Sequence, residues 1–81
     1  MEDYRIPHKN LTKREMIVIK LVALGFENNE IAEKLGVSIH TVKAFVANIL
    51  RKLDARNRTN AVFIAFQNGI LEDKDKLFKS V

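Results

Sequence analysis

The sequence predicts an all-α domain of four helices. Four capping residues, Thr12, Asn28, Ser38 and Asn57, each open an apolar-periodic stretch, and three of those stretches run into a glycine. No stretch of five or more residues alternates at period two with β-branched enrichment, so strands are not expected. Only Gly36-Val37-Ser38 separates the second stretch from the third, a link short enough to force a steep crossing.

Taken in order, residues 1–10 (MEDYRIPHKN) lack periodicity, hold the only proline and read as an N-terminal arm. Thr12-Lys13-Arg14-Glu15 is a capping box, in which the hydroxyl and the carboxylate satisfy each other's free backbone N–H. A helix follows to about residue 24, where Gly25 supplies a left-handed stop. Asn28 caps a short helix over 29–35 that ends at Gly36. Ser38 caps a third over 39–53, and Asn57 caps a fourth over 58–68 that ends at Gly69. Residues 72–81 mix acids and bases around Leu77 and Phe78 and read as a polar tail, which leaves 11–71 as the folded domain.

Composition removes most function classes. A chain of 81 residues is one domain, and one this short buries only about 60–65% of its unfolded surface. It has no cysteine, hence no disulfide framework, thiolate metal site or thiol nucleophile. A hydrophobic content of 47% excludes a disordered tail. The longest apolar run, residues 61–66, falls far short of the roughly 20 residues of a membrane span. The first residues resemble no signal peptide, so a soluble cytoplasmic protein is expected. His8 and His40 lack metal-ligand spacing, Ser38 is a cap, and Glu30 with Glu33 reads as a solvated face. No enzymatic role, cofactor or metal is expected.

The charge is unevenly placed. Between Gly36 and Leu71 the basic residues are Lys43, Arg51, Lys52, Arg56 and Arg58, against Asp54 alone, while the rest of the chain balances to zero. A pI near 9.6 with its excess in one segment suits a polyanion partner. In the same segment Ala32 is small where the third helix crosses, Gly36 can take the positive φ of the turn, and Val37 and Val42 fill the angle between the helices. Together these are the marks of a helix-turn-helix. At 100° per residue Val42, Val46, Ile49 and Leu53 form the inner stripe of the third helix, flanked by Ile39, Phe45 and Leu50. The opposite side centres on Ala44 and holds His40, Ala47, Asn48 and Arg51, with Thr41, Lys43 and Lys52 on the shoulders and no acid. The two alanines allow close approach and suit thymine methyls. Lys43 and Asn48 form a base-reading or phosphate-binding pair, and Arg51 and Lys52 suit phosphate.

Several blocks in register resemble the LuxR/GerE-type DNA-binding domain. They are Leu11-Thr12-Lys13-Arg14-Glu15, Asn28-x-Glu30-Ile31-Ala32, Val37-Ser38-x-x-Thr41-Val42-Lys43, Lys52-Leu53 and Asn57-Arg58, closed by Ala61-Val62. The resemblance covers roughly residues 11–71, and the Asn57-Arg58 start of a fourth helix separates it from the sigma-factor region that also uses a helix-turn-helix. It implies bacterial transcription regulation on double-stranded DNA, dimerisation chiefly through the fourth helix, base contact at Lys43, and Thr41 and Arg58 near the backbone. The expected groove set is then His40, Lys43, Ala44, Ala47 and Asn48. The expected phosphate set is Asn28, Ser38, Thr41, Arg51, Lys52 and Arg58. With only ten residues ahead of the domain, a free-standing regulator is expected, controlled by its abundance or by a partner. Three positions depart from the family pattern: Phe45 for a usual histidine, Asn29 for a common lysine and Ile17 for a usual acid.

Two apolar stripes remain. Met16, Ile17 and Leu24 lie opposite the inner face of the first helix (Val18, Leu21, Val22), where the arm (Tyr4, Ile6) and the tail (Leu77, Phe78) would cover them. On the fourth helix Ala61 and Ala65 serve the core, while Phe63, Phe66 and Ile70 are expected to form the interface of a homodimer. Such a dimer would set its third helices in successive major grooves, roughly 34 Å apart. A competing expectation is an adaptor that docks on RNA polymerase or another regulator. Its mark would be acids on the outer face of the third helix, and there are none.

Overall fold

The computed structural model describes residues 11–72, and over them the chain forms four helices: α1 (Lys13–Ala23), α2 (Asn28–Leu35), α3 (Ile39–Leu53) and α4 (Arg58–Gln67). The Thr12 cap forms as expected. The Thr12 N–H donates to Glu15 Oε1 at 2.9 Å, and the Glu15 N–H donates to Thr12 Oγ1 at 3.0 Å. The hydroxyl of Ser38 accepts from the Thr41 N–H at 3.1 Å, and Asn57 Oδ1 accepts from the Asn60 N–H at 2.8 Å. The cap of α2 differs by one residue. Glu27, in extended backbone, is the N-cap, and its N–H donates to Glu30 Oε1 at 2.7 Å. The capping carboxylate three residues on fixes that register, so Asn28 lies inside the helix with its side chain free for another partner.

All four helices end in the same closure. A residue in left-handed backbone follows the last turn, and the next residue donates its N–H to the carbonyl five positions back: Phe26 to Leu21, Val37 to Ala32, Ala55 to Leu50 and Ile70 to Ala65. At Gly36 (φ +69°) glycine meets that demand without a Cβ clash. At the end of α3 an aspartate meets it: Asp54 (φ +55°) is the one non-glycine residue with positive φ among the described residues. Each closure turns an apolar side chain back toward the core.

That core is built from Val18 and Ile19 of α1, Ile31 and Ala32 of α2, Val42, Ile49 and Leu53 of α3, and Ala61 and Ala65 of α4, sealed by Leu11, Ile70 and Leu71. α3 packs against all three other helices, α4 packs on α1 and α3, and α2 packs chiefly on α3. On α1 the inner face centres between Val18 and Ile19, with Leu21 and Val22 half-buried beside them. On α3 Val46, Phe45 and Leu50 are half-buried, and Ile39 is exposed at the start of the helix. Met16, Ile17 and Leu24 are exposed. Tyr4, Ile6, His8, Leu77 and Phe78, and with them the expected covering of that stripe, lie outside the described residues. No helix among the described residues is long and apolar enough to cross a membrane.

Candidate nucleic-acid interface

The turn from α2 to α3 presents one face of α3 to solvent. Gly36 reverses the chain, Val37 is pinned to Ala32, and Ser38 starts α3 with its hydroxyl 3.1 Å from Thr41 Oγ1. Beyond it His40, Lys43, Ala44, Ala47 and Arg51 are exposed along the outward side. Asn48 is half-buried, and its Oδ1 accepts from Arg51 Nη2 at 3.1 Å, which ties the amide and the guanidinium together on that face. No residue of α3 is acidic, so nothing on the helix neutralises Lys43 or Arg51.

Three of the residues expected on phosphate have partners within the domain. Lys52 Nζ lies 2.9 Å from Glu15 Oε1, and the carboxylate is almost wholly buried. Burial pushes the Glu15 carboxyl up. The hydrogen bond from Lys52, the bond from the Thr12 N–H and the attraction of the ammonium outweigh that and hold it below its ordinary value. Lys52 therefore ties the end of α3 to the start of α1, because a buried carboxylate without a cation would be costly. Arg58 and Asn28 are brought together with each other: Arg58 Nη1 donates to Asn28 Oδ1 at 2.8 Å, and Nη2 donates to the Phe26 carbonyl at 3.2 Å. Both partners are 30 or more residues away in sequence, and no local pattern marks them. Ser38 and Thr41 stay at the exposed start of α3.

The expected stripe on α4 is also redrawn. Phe63 is 60% exposed, whereas Phe66 is half-buried against the core and Ile70 is buried. Ile70 falls inside because α4 stops at Gln67 and the closure at Gly69 swings the chain back, so helical periodicity no longer applies to it. The residues that share the outer face with Phe63 are Thr59 and Gln67, four positions to either side and both exposed. That spacing was present in the sequence, but their polarity hid them from a search for apolar stripes. No group of three or more potential metal ligands occurs among the described residues.

Comparison with known proteins agrees with this architecture. Residues 9–65 match the family described as bacterial regulatory proteins, luxR family. The chain is 46% identical over 66 residues to the transcriptional regulatory protein LiaR of Bacillus subtilis (strain 168), a match covering 82% of this chain and 31% of that protein. It is 45% identical over 65 residues to the response regulator protein VraR of Staphylococcus aureus, covering 80% of this chain and 31% of that protein. The chain thus spans about a third of the length of these relatives. With more than half of its residues matched, the chain belongs to the luxR family of bacterial regulatory proteins.

Proposed function

We propose that the chain acts in transcription regulation by binding double-stranded DNA through the outward face of α3. The observation that carries this is the composition of that face: Lys43, His40, Asn48 and Arg51 surround two exposed alanines, and the whole helix lacks an acid. Alanines at the centre let the helix axis approach a groove, and the longer polar side chains around them reach base edges. His40, Lys43, Ala44, Ala47 and Asn48 form the groove set. Ser38, Thr41 and Arg51 take phosphate, while Asn28, Lys52 and Arg58, all half-buried, serve bonds within the domain. The relatives named as a transcriptional regulatory protein and a response regulator support the same biological role.

The active species is a two-fold homodimer paired through α4, with Phe63 between Thr59 and Gln67 at its centre. One exposed phenylalanine makes a small interface, so pairing is weak in solution and tightened by DNA through linkage. Binding to a duplex measured across a salt series tests the reading. Each phosphate contact contributes about −0.9 to the slope of log K against log salt. A flat dependence would refute it. A polymerase-docking adaptor would pass through heparin unretained.

A further inference from the structure

We propose that Arg58 is a positioning residue, a brace from α4 to the first turn of α2, and not a phosphate contact. α2 is eight residues long and packs chiefly on α3. A helix of that length has little stability of its own. Its N-terminal end meets α4 through the Arg58 guanidinium, which holds Asn28 Oδ1 at 2.8 Å and the Phe26 carbonyl at 3.2 Å. One planar group thereby fixes both the first turn of α2 and the loop leading into it, a geometry suited to the fork of arginine and not to the point charge of lysine. Arg58 is half-buried and lines an open cleft of about 470 Å³ with Val22, Ala23, Phe26 and Val62, away from the outward residues of α3. The consequence reaches α3 because only three residues join it to α2. A shift of α2 therefore carries the start of α3 with it. Arg58 couples the helix proposed to pair two copies to the helix proposed to read DNA, so the functional part of this inference rests on the DNA-binding reading.

The test uses the full chain and the variants Arg58→Ala, Arg58→Lys and Asn28→Ala. Amide exchange without DNA reads the brace directly. The Ile31 N–H, bonded to the Glu27 carbonyl at 2.9 Å, should exchange on the order of tenfold faster in all three variants, since a bond to a charged donor is lost. The Ile49 amide in α3 should be unchanged. On a duplex, Arg58→Ala should weaken binding several-fold while keeping the salt slope of the wild type. Unchanged Ile31 exchange, together with a slope reduced by about 0.9, would make Arg58 a phosphate contact and overturn the brace. If Arg58→Ala unfolds, Asn28→Ala, which removes one of the two acceptors and leaves the arginine in place, decides by the same exchange measurement. If the wild type binds no duplex, the DNA-binding reading fails, and the exchange of Ile31 still decides the brace.

Discussion

Replacing Glu15 by glutamine removes a charge and almost nothing else. Glu15 Oε1 accepts from both the Thr12 N–H and Lys52 Nζ, each at 2.9 Å, and a glutamine carbonyl oxygen can occupy the same point. Both bonds then persist with a neutral acceptor. A charge-assisted bond is about twice as strong as a neutral one, and a bond to a charged group contributes about 1.5–3 kcal/mol. Lys52 keeps a fifth of its side chain in water, which screens its share. Glu15→Gln should therefore cost about 1–2 kcal/mol, or about 4–16 °C in Tm for a domain of this size. Lys52→Met strands the buried carboxylate and should cost more, about 2–3 kcal/mol. The double variant should fall short of the sum by at least about 1 kcal/mol in urea unfolding, with the m-value unchanged. The pH dependence follows from the same pair. The folded-state pKa of Glu15 lies below its ordinary value, so its contribution is complete above that ordinary value and is lost as pH falls through the folded-state value. Wild type should lose stability over that acid window, and Glu15→Gln should lose less. Additivity of the two substitutions within about 0.5 kcal/mol, or identical acid profiles, would refute the coupling.

Lys52→Ala should leave the salt slope of DNA binding unchanged while Arg51→Ala reduces it by about 0.9, as a salt series on one duplex would show. Lys43→Ala should cost on the order of 1–3 kcal/mol and relax preference at one base position, seen by comparing a selected site with random duplex. Phe63→Glu should leave the domain folded and abolish self-association in sedimentation on a palindromic site, whereas Ile70→Ala should cost about 2–5 kcal/mol of stability because its side chain is in the core. Asp54→Gly should stabilise by roughly 0.5 kcal/mol in thermal unfolding, since the left-handed penalty it relieves exceeds the entropy that glycine adds.

What the sequence disclosed was whatever is decided over a few residues. The Thr12 and Ser38 caps, the turn at Gly36 and the two faces of α3 all follow from neighbours three to five positions apart, and the structure places them as expected. The partners of Lys52 and Arg58 were not legible. Glu15 is 37 residues from Lys52, and Asn28 is 30 from Arg58, so a basic side chain counted as free charge in the sequence proves to be spoken for. Asn28 misled for a related reason. It is a good capping residue one position away from a better box, and the box of Glu27 and Glu30 set the boundary. Ile70 failed because a spacing of four was carried past the last turn of α4, where the backbone no longer turns at 100° per residue.

The repeated closure at the helix ends bears on how the chain finds its fold. Each of the four stops is completed by a bond spanning five residues, and each of the four starts by a side chain three residues from its acceptor or donor. The boundaries of every helix can thus be drawn before any distant part of the chain has been met. What then remains of the conformational search is the docking of short, already delimited segments around α3. A helical domain of that kind belongs with those that fold in microseconds to milliseconds.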